Sequence, residues 1–305
     1  MIMNIEKILF SILVANYNNG EFLQEAIDSV LDQTYHNWEM IIVDDGSTDG
    51  SQSIYEKYKD DNRFRFYFND KNMGCGYTKR RCASYATGDL CAFLDPDDAL
   101  MPNAIEIMVE QHNIHPECSL IYSTAYLYNG ESKEGLTVWD YVGEIPSAYD
   151  SLLYRKKLVF HFAAYKNRCY HKTHGLNPKL KADVDRDLYC RLEEVGNLLF
   201  LPIPLYFYRV NNLRSISIGT DDAKNNAYQY SLVCQLDTIC RRIGGTLYER
   251  NRLDYIKYMR TLMGFYYRSY LFKRINYSKY CFYYLTANHF NIHAFSHLCK
   301  IPKGR

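Results

Sequence analysis

Short apolar runs recur along the first 125 residues, with amphipathic stretches between them. Leu9–Ala15, Glu39–Asp44, Phe64–Phe68, Leu90–Leu94 and Ser119–Ser123 have the length and apolar content of buried strands. Helical spacing fills the intervals at Glu21–Gln33, Asp49–Lys59, Gly76–Ala86 and Asn103–His115. Alternation at this pitch predicts βαβ units and a mostly parallel sheet, hence an α/β fold. Past residue 124 the pattern loosens, with a clear helix only at Asp185–Glu194. From about Asp221 to residue 295 the text is mainly helical.

In an open parallel sheet, ligands bind beyond the carboxyl ends of the strands. Asn16-Tyr17-Asn18 follows the first predicted strand, Asp44-Asp45-Gly46-Ser47 the second, and Asp95-Pro96-Asp97-Asp98 the fourth. Three polar clusters on one sheet edge point to a single binding site more than to separate turns. The carboxylates of Asp95, Asp97 and Asp98 repel one another and cost desolvation at the end of a buried strand. A divalent cation with oxygen ligands offsets that cost, and a diphosphate ester can complete its coordination. The plainer alternative is a turn in which Asp98 caps the helix beginning near Pro102. For Asp45 the alternatives are a hydrogen-bond acceptor for a base or ribose, or an Asx turn with Ser47 or Thr48 capping the next helix. Asp44 needs no role beyond such a turn. Neither G-x-G-x-x-G after the first strand nor G-x-x-x-x-G-K-[ST] occurs, so no glycine nest cradles phosphate.

Composition narrows the class further. Ten cysteines are scattered without a C-x-x-C pair, which argues against a zinc or redox motif and for reduced thiols in a cytoplasmic protein. The run Ile8 to Ala15 is short, follows Glu6 and lacks a small-residue cleavage site, so it reads as a strand and not as a secretory segment. No apolar run approaches the roughly 20 residues of a membrane span. A net charge of +1 hides an asymmetry: residues 223–305 hold 14 Lys+Arg against 3 Asp+Glu, the remainder 22 against 32.

Residues 10–116 resemble the nucleotide-binding half of an inverting family 2 glycosyltransferase with the GT-A fold. The motifs that carry the resemblance are Phe10-Ser-Ile-Leu-Val-Ala-Asn-Tyr-Asn18, Ser29-Val-Leu-Asp-Gln-Thr-Tyr35, Ile42-Val-Asp-Asp-Gly-Ser-Thr-Asp49 and Phe93-Leu-Asp-Pro-Asp-Asp98. The resemblance implies a single Rossmann-like nucleotide-binding sheet with helices on both faces and a helical C-terminal region. It divides the chain into a catalytic domain over 1–220 (1–123 for the nucleotide sugar, 124–220 for the acceptor) and a helical region over 221–305. It also implies a nucleotide-diphosphate sugar donor, UDP by family frequency, with Mn²⁺ or Mg²⁺. Ala15, Tyr17, Asp45, Lys79 and Asp95 then fall on nucleotide-binding positions, and Asp97 on the metal carboxylate. Two departures stand out. Ala15-Asn16 replaces the frequent Pro-Thr, and Lys79-Arg80-Arg81-Cys82 replaces R-N-x-G, which gives up the bidentate fork of arginine at residue 79 and leaves Arg80 as the alternative cation.

Inversion at an anomeric carbon needs a base on the acceptor hydroxyl. Asp183-Val-Asp185-Arg-Asp187-Leu-Tyr-Cys-Arg-Leu192 resembles the family's E-D-x-D-x-x-x-R-L segment, which puts the base at Asp185 and leaves Val184 where a Glu is usual. The other reading of these acids is a helix start favoured by the dipole, which suits Asp187. His161 is a candidate for the acceptor pocket, and Arg209 or Arg214 for the departing diphosphate, against structural roles for each. In the C-terminal region Ile256, Met259, Met263, Tyr267, Tyr270 and Leu271 recur at helical spacing, with Lys257, Arg260, Arg268, Lys273 and Arg274 elsewhere. An apolar stripe packed on the catalytic domain accounts for this. Peripheral contact with the anionic inner face of a membrane is the sharper alternative, and nucleic acid is disfavoured for want of a recognised module. The expected activity is metal-assisted, inverting transfer of a sugar to a hydroxyl of a polysaccharide or lipid-linked glycan. A non-catalytic nucleotide- or glycan-binding module on the same fold is the alternative.

Overall fold

A computed structural model describes residues 5–129, 136–144, 159–210, 221–250, 252–268 and 277–287. Its first half follows the hydrophobic pattern closely: β1 (Phe10–Asn16), α1 (Gly20–Leu31), β2 (Trp38–Asp44), α2 (Ser51–Tyr58), β3 (Phe64–Phe68), α3 (Cys75–Tyr85) and β4 (Leu90–Phe93). These strands lie parallel in the order β3-β2-β1-β4. β1, β2 and β4 are buried nearly throughout, as expected of strands covered on both faces. Glu39 fastens the edge of the sheet opposite the carboxyl ends. It accepts from Ser11 Oγ at 2.6 Å and from the Thr87 N–H at 2.8 Å, and it pairs with Arg65 of β3.

The second half completes a mixed sheet, not the mostly parallel one expected. After β5 (Ala99–Leu100) and α4 (Ala104–Ile114) come β6 (Cys118–Tyr128), β7 (Thr137–Val138), β8 (Ala163–Lys166), α5 (Asn167–Tyr170), α6 (Val184–Glu193) and β9 (Asn197–Arg209). β8 runs antiparallel between β4 and β6, and β6 pairs parallel with the long β9. Among the described residues the sheet has nine strands, ordered β3-β2-β1-β4-β8-β6-β9-β5 with β7 on β6. β8 reads Ala-Ala-Tyr-Lys, four buried residues with no alternation for a period-2 search to find. Asp98 does not cap α4. The cap residue there is Asn103, without a side-chain bond, and Asp98 Oδ1 instead accepts the Arg209 N–H of β9 at 2.8 Å.

α7 (Asp221–Arg242), α8 (Thr246–Arg250), α9 (Arg252–Arg268) and α10 (Tyr277–Ala287) form the helical C-terminal layer. Leu236, Ile239, Tyr255, Met259, Met263 and Tyr284 share one apolar cluster with Leu188 and Leu192 of α6 and with Leu13, Ile41 and Phe93 under the sheet. Each such side chain contributes roughly 1.5–3 kcal/mol on burial. The apolar stripe of α9 is therefore a packing face, with Tyr255, Met259, Leu262 and Met263 buried and Lys257 and Arg260 exposed. Tyr270, Leu271, Lys273 and Arg274 lie outside the described residues, as does Arg214. No helix of the described residues is long and apolar enough to cross a membrane. Part of the charge asymmetry is spent inside the protein. Arg242 donates to Glu193 at 2.7 Å, to Glu194 at 3.0 Å and to the Cys190 carbonyl at 2.7 Å, and Arg241 reaches Glu194 at 2.9 Å.

Candidate active site

The loops after β1 and β2 hold each other. Asn18 donates its N–H to Ser47 Oγ at 2.9 Å and accepts the Thr48 N–H on Oδ1 at 2.8 Å, while Asp49 takes the Gly20 N–H at 2.8 Å. Asp44 closes the turn expected of it, accepting the Ser47 N–H at 2.7 Å and the Tyr55 hydroxyl at 2.6 Å. Gly46 turns the chain at φ +77°, where a Cβ would meet the Lys71 backbone at 2.9 Å. Asn16 is fully buried behind this turn and braces the loop, donating to Ser51 Oγ at 2.9 Å and Tyr55 OH at 2.7 Å.

Above these turns opens a cavity of about 680 Å³. Its walls include Ala15, Tyr17, Asp45, Lys79, Asp95, Asp97, His161 and Asp185. Among the described residues expected to form the site, Arg209 and the alternative cation Arg80 are absent from that wall. Tyr17 is exposed at the rim. Asp45 is buried, its Oδ1 accepting from Asn69 Nδ2 at 2.6 Å and the Met73 N–H at 2.8 Å, its Oδ2 from the Gly74 N–H at 2.9 Å. A carboxylate offers about four acceptor positions, so one remains for a ligand donor.

Lys79 is the charged centre of the cavity. Its Nζ lies 3.0 Å from Asp95 Oδ1 and 2.9 Å from Asp185 Oδ1. Burial works to lower the pKa of this ammonium, but the two carboxylates outweigh it and hold the pKa well above the ordinary lysine value. Burial likewise works to raise the Asp95 carboxyl, and Lys79 with His161 brings it below its ordinary value. Arg80 points elsewhere, donating to the carbonyls of His174 at 3.0 Å and Leu176 at 2.6 Å, so of the two candidates it is Lys79 that enters the cavity. Gly76 permits this placement of α3, since a Cβ there would meet the Leu180 carbonyl oxygen at 2.4 Å.

His161 is nearly fully buried, with Nε2 3.8 Å from both Asp95 Oδ2 and Asp185 Oδ2 and its ring stacked on Tyr206 at 5.2 Å. Asp185 sits in the first turn of α6, where the helix dipole favours an anion. Asp187 is set apart from it by its partners: it accepts the Asn177 N–H at 2.9 Å and Arg191 Nε at 2.9 Å. Arg209 pairs with Glu25 of α1, donates Nε to the Asp97 carbonyl at 2.8 Å, and lies over the rings of Phe22 and Tyr128 at 4.6 and 4.9 Å. It thus clamps the Asp95–Asp98 turn from behind. Phe160, Lys181 and Tyr208 also line the cavity. Lys181, two residues ahead of Asp183, could have been sought as a second cation for phosphate; Phe160 has no local signature.

Among the described residues no three His, Cys, Asp or Glu side chains gather in a metal-binding cluster. Asp97 nevertheless presents a hard oxygen donor to the cavity next to Asp95. A carboxylate there is the kind of hard oxygen ligand that a divalent cation takes.

Residues 11–175 match the family model described as "Glycosyl transferase family 2". A chondroitin synthase of Pasteurella multocida (strain Pm70) is 28% identical over 207 residues, which cover 63% of this chain and 20% of that protein. The chain thus spans about a fifth of the length of that relative. TuaG of Bacillus subtilis (strain 168), a putative teichuronic acid biosynthesis glycosyltransferase, is 37% identical over 105 residues, 34% of this chain and 42% of that one. Among solved structures, S. aureus TarS 1-349 in complex with UDP-GlcNAc superposes with a TM-score of 0.64 at 16% identity, over 93% of this chain and 81% of that one. Mannosyltransferase PcManGT of Pyrobaculum calidifontis, in complex with GDP-Man and Mn2+, gives 0.54 at 14% identity over 76% of this chain and 64% of that one. The shared fold is GT-A.

Proposed function

The chain belongs to glycosyl transferase family 2, and on that premise we propose that it transfers a hexose-type sugar from a UDP-sugar to a hydroxyl of a growing glycan, with inversion. The observation that carries this reading is the meeting of Asp45, Lys79, Asp95 and Asp97 from the first half of the chain with Asp185 from the second around one cavity. UDP-GlcNAc in TarS and the polysaccharide synthases among the relatives support the donor and acceptor classes.

Asp45 and Tyr17 hold the nucleoside, and Asp95 lies between the nucleoside and the sugar. Asp185 takes the proton of the acceptor hydroxyl while that oxygen bonds to the anomeric carbon. The bond from the anomeric carbon to the diphosphate oxygen breaks on the opposite face, and its electron pair leaves with UDP. Lys79 faces both events. Drawn toward the donor phosphates, it releases the lone pairs of Asp185 that it occupies in the free protein and stabilises the leaving charge. A divalent ion at Asp97 would neutralise the diphosphate when bound.

UDP should raise the thermal midpoint, and more so with Mn²⁺, because a ligand that binds only the folded state stabilises it by mass action. Slow release of free sugar from a UDP-sugar should accompany binding. Binding without any hydrolysis or transfer across a donor panel would leave a nucleotide-binding module instead of an enzyme.

A further inference from the structure

Beside the carboxylates stands a wall of aromatic rings that the reaction above does not use. Phe160 and Tyr208 line the cavity. Their ring centres lie 5.2 Å apart at 87°, and Trp139 closes against both, at 4.4 Å and 81° to Phe160 and at 5.3 Å and 12° to Tyr208. The wall is anchored to the sheet. Trp139 donates its N–H to the Ala125 carbonyl at 2.8 Å and accepts Thr124 Oγ1 on its own carbonyl at 2.7 Å, and Tyr208 belongs to β9. It also reaches toward the proposed base through His161. The Phe160 ring is 5.0 Å from that of His161, whose Nε2 is 3.8 Å from Asp185.

Resting on the transferase reading, we propose that Phe160 and Tyr208, backed by Trp139, form the platform on which the terminal pyranose of the acceptor lies, turning its hydroxyl toward Asp185. The chemistry of the wall selects the occupant. A pyranose ring has an apolar face of C–H groups and a rim of hydroxyls. The face matches aromatic rings, whose electron-rich surfaces attract C–H groups, and the rim can donate to Asp185 and Asp95. A wholly apolar ligand would strip water from those carboxylates without replacing its hydrogen bonds. The donor is assigned elsewhere in the cavity, because Asp45, given to its nucleotide, is bonded to Asn69, Met73 and Gly74, whereas Phe160 packs on His161.

The chain offers its own reporter. It contains two tryptophans, of which Trp38 is 2% exposed in the core of the sheet and Trp139 lies against Phe160 and Tyr208. Titrating methyl β-D-glucopyranoside, cellotetraose and chitotetraose into the UDP-bound protein should give a saturable change in tryptophan emission with at least one of them. The change should vanish in Trp139→Phe, which leaves only Trp38. Tyr208→Ala should weaken the apparent saccharide affinity about tenfold while UDP affinity moves by less than a few-fold, and Tyr208→Phe, which keeps the ring, should restore it. The proposal is overturned if no saccharide moves the emission, if Tyr208→Ala responds as the wild type does, or if a UDP-sugar alone produces the full change. Should UDP fail to bind while saccharides still act through Trp139, the transferase reading falls and the platform stands as a glycan site.

Discussion

Lys79 and Asp185, 106 residues apart in sequence, are joined by Nζ contacts of 2.9 and 3.1 Å to the two carboxylate oxygens. This pair links α3 of the first half of the chain to α6 of the second, and Asp95 shares the same ammonium at 3.0 Å. Lys79→Met keeps the length of the side chain and removes its charge, leaving two carboxylates facing each other without a cation. Turnover should fall about 10²–10³-fold, the scale for a lost charge-stabilising donor, and UDP should bind more weakly. Steady-state rates with calorimetric UDP titration check both. Wild-type turnover in the variant would remove Lys79 from the mechanism.

Asp185→Asn should reduce transfer about 10²–10⁴-fold and leave UDP affinity within a few-fold, because in the proposed mechanism the base meets the acceptor and not the nucleotide. Asp187→Asn serves as the contrast. Its bonds to Arg191 and the Asn177 N–H mark it as a tie between α6 and the preceding loop, so its loss should appear in the thermal midpoint. Transfer activity in Asp185→Asn close to that of the wild type would assign the base elsewhere.

Asp97→Asn removes charge from the carboxylate that would meet a divalent ion. Donor binding should lose its response to Mn²⁺, and EDTA should then have little further effect. The fold should persist, since Arg209 holds this turn through the Asp97 carbonyl and the Asp98 carboxylate, not the Asp97 side chain. Titrating Mn²⁺ against UDP affinity in both proteins tests this, and an unchanged metal response would place the ion on other ligands.

Acid stability should depend on Glu39. Burial alone would raise its pKa, but hydrogen bonds from Ser11 and Thr87 and the charge of Arg65 bring it below the ordinary value of 4.5. Its contribution is therefore present above about pH 4.5 and fades as pH falls through the depressed folded value. Glu39→Gln should cost about 1–3 kcal/mol at pH 7, with the midpoint dropping about 2–4 °C for each kcal/mol. The difference between the two proteins should shrink below pH 4 as the wild-type carboxyl takes up its proton. Thermal melts from pH 3 to 8 would expose the opposite trend if Glu39 were structurally idle.

Much of the first half was legible in the chain because its information is local. Phe10–Asn16 and Trp38–Asp44 are apolar runs long enough to announce strands, and Asp45, Asp95 and Asp97 follow strand ends at an edge where parallel sheets bind ligands. What tertiary structure alone decided are relationships between distant residues. β8 is too short to show a period, yet it turns the expected parallel sheet into a mixed one by entering between β4 and β6. Arg209 became a clamp on the Asp95–Asp98 turn only because β9 ends beside α1 and Glu25. The basic excess of the C-terminal helices looked like a surface property until Arg241 and Arg242 met Glu193 and Glu194 of α6. The physical reason is the same in each case. Periodicity and turn chemistry act over a few neighbouring residues, whereas ion pairs, ring contacts and strand order arise only when chain closure brings separate segments within a few ångströms. Lys79 could be named from its position in the chain, but its partner Asp185 was fixed by the fold.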